Sequence, residues 1–184
     1  MVRSRKPSTS EESRNRVELD RHSFAFIDAQ NIHLGMRALG WELDWRLLRS
    51  HLRRRYGVTT AYLFAGYLPR NSTLYRSLAD AGYTLVFKQV AVSRDGRIKG
   101  NVDADLVLQA MIDIDDYFDA VIVTSNGDFA CLVRYLRERN KLRAVISPSR
   151  ERCSNLLRRS AGGSIDYLHN LRRLLEYPKR QKAP

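Results

Sequence analysis

Residues 120–139 read Ala-Val-Ile-Val-Thr-Ser-Asn-Gly-Asp-Phe-Ala-Cys-Leu-Val-Arg-Tyr-Leu-Arg-Glu-Arg. Ala120 to Thr124 is a continuous apolar, β-branched run of strand length. Ser125 to Asp128 is polar and small and breaks the run. From Phe129 to Arg139 the apolar residues return at helical spacing, with Leu132, Val133 and Leu136 on one face and Asn140 as the stop. A strand that is apolar on both faces belongs in a sheet covered by helices on both sides. This one stretch therefore spells strand, turn and helix of a layered α/β fold.

The same alternation repeats in both directions. Downstream, Leu142–Ile146 is a strand. Ser147-Pro148 then reads as an N-cap with proline at the first helical position, opening a helix that Gly162 and Gly163 end after Ala161. Upstream, a helical pattern begins near Val102 and carries Leu106, Ala110 and Met111, preceded by a polar loop, Ser93–Gly100. Tyr83–Val92 and Val58–Tyr67 read as strands. Asn71 caps a helix with Leu74, Leu78 and Ala81 inward, closed by Gly82. Asp44 caps another, with Leu47, Leu48, Leu52 and Tyr56 and a stop at Gly57. Phe24–Ile27 is a short strand ending at Asp28. Strands alternating with helices predict an α/β fold, a three-layer α/β/α sandwich around a mostly parallel central sheet.

The chain has 184 residues, which suits one globular domain. We expect that domain at 22–175, between a basic, Ser-rich flexible tail at 1–21 and a basic tail at 176–184. No apolar run approaches the ~18 residues of a spanning helix, and a charged fraction of 28% excludes a membrane-embedded body. Cys131 and Cys153 have no CxxC spacing and are expected in the core. Four scattered histidines lack a metal-ligand rhythm. The basic N-terminal segment has no apolar stretch behind it, so a cytoplasmic, reduced protein is expected. With 32 Lys and Arg against 20 Asp and Glu, the net charge is +12. That surplus favours a polyanionic partner, nucleic acid first, and arginine predominates, as suits bidentate phosphate contact. No amphipathic helix with an aromatic face supports a membrane surface.

In open parallel sheets, ligands bind beyond the carboxyl ends of the strands. That rule selects Asp28 at the end of the first strand, Asp103 at the start of the helix near Val102, and Asp128 after Ala120–Thr124. Asp128 can equally cap the following helix, and Asp28 could be a cap too, but Ala29-Gln30-Asn31 is not a strong helix start, so a functional role is favoured for it. Asp105 lies about 200° around the helix from Asp103 and cannot easily share its target. Three carboxylates converging without partners would repel one another, so such a cluster suits a hard divalent ion, Mg²⁺ or Mn²⁺. In a strongly basic protein that combination points to phosphodiester hydrolysis.

The segments FIDAQNI, KGNVDADLVLQAM, AVIVTSNGDFACLVRYL and ISPSRERCSNLLRRSAGGSIDYL resemble the LabA-like NYN domains of the PIN-like nuclease superfamily, over residues 22–175. The resemblance implies a Mg²⁺- or Mn²⁺-dependent ribonuclease, with Asp28, Asp103 and Asp128 as metal ligands and catalytic acids and Asn31 as a companion polar residue. It departs at two positions. The family's fourth-strand motif has Asp where this chain has Asn126, and the helix after the third strand commonly has Asp where this chain has Gln109. An amide offers a neutral oxygen but neither charge nor a proton acceptor, so Asn126 is counted with the catalytic set as the position that impairs it.

Substrate contacts are expected from Asn31, Ser125, Arg97 and Lys99, the last two on a basic flap. Thr124 is a weaker candidate, and His33 reads as structural. The partner expected is RNA, single-stranded or structured, with the oligomeric state left open and a homodimer included. The leading expectation is a metal-dependent ribonuclease. A non-catalytic RNA-binding or regulatory module on the same fold is the alternative. A small-molecule phosphohydrolase is a weaker third, since no GxGxxG or Walker loop is present.

Overall fold

A computed structural model of the protein describes residues 22–88, 91–92, 98–99 and 102–178, the pairs 91–92 and 98–99 as backbone only. Both expected tails, apart from 176–178, and Arg97 lie outside the described residues. Among the described residues there are eight strands: β1 (Ser23–Asp28), β2 (Val58–Gly66), β3 (Thr84–Lys88), β4 (Ala91–Val92), β5 (Ile98–Lys99), β6 (Asp119–Val123), β7 (Leu142–Ser147) and β8 (Ile165–Tyr167). The α-helices are α1 (Ala29–Ala38), α2 (Trp45–Tyr56), α3 (Ser72–Asp80), α4 (Asp103–Ile112), α5 (Ala130–Glu138), α6 (Asn155–Ala161) and α7 (Arg172–Leu175).

Six strands form one sheet in the order β3-β2-β1-β6-β7-β8, and every neighbouring pair is parallel. The core strands β1 and β6 are buried almost throughout, as the continuous apolar runs require. One face packs Ile32 and Met36 of α1, Leu48 and Leu52 of α2, Leu78 of α3 and Leu175 of α7. The other packs Leu106 and Ala110 of α4, Leu132 and Leu136 of α5, and Leu157 of α6. The chain winds outward from β1 through β2 to β3, then returns across the sheet to β6. The strand order therefore reverses between β1 and β6, and a crevice at the carboxyl ends is expected there.

Local chemistry explains several boundaries, although Asn71 makes no side-chain capping hydrogen bond at the start of α3. The Asp44 carboxylate accepts from the Arg46 and Leu47 amides at the start of α2, and Gly57 closes that helix in the left-handed conformation. Four expectations need correction. Tyr83–Val92 is not one strand: β3 stops at Lys88, and Ala91–Val92 pairs antiparallel with Ile98–Lys99 as a separate hairpin. Ser147-Pro148 does not open a helix. β7 extends through Ser147, the Cys153 amide donates to the Ser149 carbonyl in a turn, and Ser154 caps α6 by accepting from the Leu156 amide. The strand β8 lies beyond the expected set. Cys131 is exposed while Cys153 is buried.

Pro148 instead packs on α1. A Cβ on Gly35 would stand 2.5 Å from Pro148 Cγ, so only glycine lets this helix approach the turn after β7. Gly35→Ala should therefore lower stability by about 1–3 kcal/mol, read as a drop in melting temperature. An unchanged melting temperature would show that the contact relaxes freely.

Candidate functional site

Ile27 of β1 is in register with Val123 of β6, which sets Asp28 and Thr124 side by side where the strand order reverses. Both side chains are buried, Thr124 completely and Asp28 to 5% exposure. Asp28 does cap α1, contrary to the weak helix signal of Ala29-Gln30-Asn31: its Oδ1 accepts the Asn31 amide at 3.1 Å. Its other oxygen accepts from Thr124 Oγ1 at 3.5 Å. Burial, and secondarily the nearby Asp103 carboxylate, push the Asp28 pKa from 3.8 up to about 6 despite these hydrogen bonds. Among the described residues no lysine or arginine pairs with it.

From Thr124 the network runs outward. Thr124 Oγ1 accepts the Asn126 amide at 3.2 Å. The Asn126 side chain then joins the two other acids, with Nδ2 donating to Asp103 at 3.0 Å and to Asp128 at 3.4 Å. Its Oδ1 accepts the Asp128 amide at 3.1 Å and caps the 3₁₀ turn Gly127–Phe129. The capping role anticipated for Asp128 thus belongs to Asn126. Three acids from three separate loops are linked through Thr124 and Asn126 at one edge of the sheet. Asp105 turns elsewhere, to Lys88 at 3.1 Å.

Asn31 and Ser125 contact each other. Asn31 Oδ1 accepts both the amide and the hydroxyl of Ser125, each at 2.8 Å, tying α1 to the loop after β6. The Ser125 carbonyl in turn accepts the Ser154 amide at 3.1 Å, which anchors α6 to the same loop. Lys99 is placed by backbone alone, opposite Ala91 in the hairpin. Gln109 is not at this edge, since its amide donates to Asp113 at 2.9 Å. Thr124 is the residue that sequence reasoning ranked too low. Its signal was a hydroxyl at the end of an otherwise apolar strand.

Among the described residues no three Asp, Glu, His or Cys side chains close into a ready metal cluster. The Asn126 amide donates to both Asp103 and Asp128. In kind, the donors still fit a hard ion. They are carboxylate and amide oxygens, and Asp28 carries a buried charge that no described cation offsets.

Residues 24–168 match the NYN domain family. The chain belongs to that family. The NYN domains are a family of PIN-like nucleases. The chain is 24% identical over 165 residues to the low amplitude and bright protein LabA of Synechococcus elongatus, spanning 84% of this chain and 88% of that one. The fold is also that of a protein of unknown function from Vibrio parahaemolyticus. That likeness has a TM-score of 0.67 at 22% identity, over 80% of this chain and 93% of the other. No helix among the described residues is long and apolar enough to cross a membrane.

Proposed function

We propose that this NYN domain, taken as residues 22–175, is a ribonuclease whose chemistry is centred on Asp28. The observation that carries the reading is a buried carboxylate with its pKa raised to about 6, at the reversal point of a parallel sheet and joined through Thr124 and Asn126 to two further acids. A buried charge that no described cation offsets carries a cost, and such perturbed groups cluster at functional sites.

A Mg²⁺ or Mn²⁺ ion would be held by Asp28, Asp103 and Asp128, where it would polarise a phosphoryl oxygen and acidify the attacking water. The chain's own residues supply the setting. Asp28 is fixed by the Asn31 amide and Thr124, so its orientation costs little on binding. Burial of Asp28 and Thr124 keeps bulk water from screening the charge. The Asn31–Ser125 pair ties α1 to the loop after β6, and Lys99 and Arg97 are assigned to phosphate. Asn126 moderates the repulsion between Asp103 and Asp128 and so favours the metal-free form.

That last feature gives the second reading its specific support. With an amide donor between the acids in place of a charge, the domain binds RNA and cuts it slowly or not at all. Both readings require RNA affinity dominated by Arg and Lys on phosphates. Its logarithm should fall with the logarithm of salt concentration, with a slope near −0.7 per phosphate neutralised on a single strand. Fluorescence anisotropy of a labelled RNA between 50 and 300 mM KCl reads the slope, and a flat response would remove the polyanion from both readings.

A further inference from the structure

A cavity of about 420 Å³ opens on the other side of α1 from Asn31 and Ser125, between α1, the carboxyl end of β2 and α3. We propose that it receives an unpaired nucleobase of the RNA, adjacent to the scissile phosphate. This inference rests on the ribonuclease reading and specifies its substrate as single-stranded at that position.

Three observations converge. The floor is apolar, built from Leu63, Ala65 and Leu85 of the strands, and the walls carry Leu34 and Leu74. Leu74 was expected inward but is 48% exposed, and Leu34 is 52% exposed. Apolar side chains left open around a concave floor suit a flat, apolar body. Next, among the described residues the lining includes Arg37, Arg70 and His33 and no acidic residue, which suits an occupant that carries negative charge or none. A neutral apolar helix from a partner would not call for two arginines. The amides of Gln30 and Asn71, which also line the cavity, suit the polar edge of a base, whose donors and acceptors lie in its plane.

Position supplies the third. Asp28 is in register with Phe64, the neighbour of the floor residue Ala65. Strand spacing and rise put the Asp28 and Ala65 backbones about 6 Å apart. The strand alternation turns Asp28 to one face of the sheet and Ala65 to the other. An RNA chain with its phosphate at Asp28 therefore drops the adjoining base over the sheet edge, past Ala29 and Gln30, into the cavity. A base paired in a duplex cannot make that crossing, because stacking and pairing hold it in the helix.

The test measures binding of a labelled ten-nucleotide RNA and of the same sequence as a blunt duplex, in EDTA at fixed salt, so that cleavage plays no part. The intact chain should bind the single strand at least about tenfold more tightly. Ala65→Leu, which fills the floor, and Leu74→Asp, an exposed change that adds repelling charge at the wall, should each weaken single-strand binding about fivefold or more and leave duplex binding unchanged. A 4-thiouridine in the strand should crosslink within residues 63–78. Equal affinity for the two RNAs, or variants that bind the single strand normally, would overturn the base site while the ribonuclease reading stands. Absence of binding to either RNA would overturn both. Variants that dissociate a dimer without altering RNA affinity would assign the cavity to self-association and overturn the proposal.

Discussion

Asp28→Asn should abolish metal-dependent RNA cleavage and at the same time make the protein more stable. The loss should be about 10²-fold or greater, the usual scale for removing one electrostatic contact from a transition state. The gain in stability follows from linkage. The folded pKa of about 6 lies above the ordinary 3.8, so between those values the native form holds a proton that the unfolded chain has released. Stability from this group falls as pH rises through that window, and the full cost, at most about 3 kcal/mol, applies above about pH 6. Asparagine keeps the oxygen that accepts the Asn31 amide and discards the charge. At pH 7.5 the variant should melt roughly 3–6 °C higher, with the gap closing toward pH 4. Mg²⁺ or Mn²⁺ should raise the melting temperature of the native chain and leave that of Asp28→Asn almost unmoved. A variant that melts lower than the native chain at pH 7.5 would mean that the buried charge is compensated after all.

Asn126→Asp should do the opposite on both counts. On shape alone the exchange is neutral, and sequence reasoning would expect the fold hardly to notice it. The structure changes that expectation, because Asn126 Nδ2 donates to both Asp103 and Asp128 and a carboxylate cannot. The substitution replaces two hydrogen bonds with repulsion among three acids, at a cost of about 1–3 kcal/mol without metal. Millimolar Mn²⁺ should recover that loss, and metal-dependent turnover should rise about tenfold or more. Equal melting temperatures in EDTA, together with equal activity, would show that position 126 neither holds the acids apart nor contributes to the site. Activity that appears only in Asn126→Asp would assign the native chain to the RNA-binding reading.

The layered fold was legible because Phe24–Ile27 and Ala120–Val123 are apolar at consecutive positions and of strand length, a pattern that suits a sheet covered on both faces. The β8 edge was not. Ile165-Asp166-Tyr167 is three residues with a charge in the middle, and only pairing with β7 makes it a strand. Ser147-Pro148 misled because its local signature is sound, but Pro148 packs on Gly35, a contact 113 residues distant in sequence that no local pattern carries. At the site, strand ends and helix starts gave the positions of Asp28, Asp103 and Asp128. What joins them was hidden, since hydrogen bonds from Thr124 and Asn126 depend on the register of β1 with β6 and on how α4 approaches the loop after β6. Cys131 shows the same limit in reverse: an apolar residue type on a helix lies exposed because its position, not its composition, decides.

The most direct measurement is cleavage of a 5′-labelled single-stranded RNA by the purified chain with Mn²⁺, in parallel with Asp103→Asn and with EDTA. Asp103 is the control of choice because its carboxylate is assigned to the metal and the residue is less buried than Asp28. Fragments are expected from the native chain with Mn²⁺, faster from Asn126→Asp, and none from Asp103→Asn or in EDTA. Cleavage that persists in Asp103→Asn, or no cleavage by either the native chain or Asn126→Asp at any Mn²⁺ concentration, would contradict that expectation.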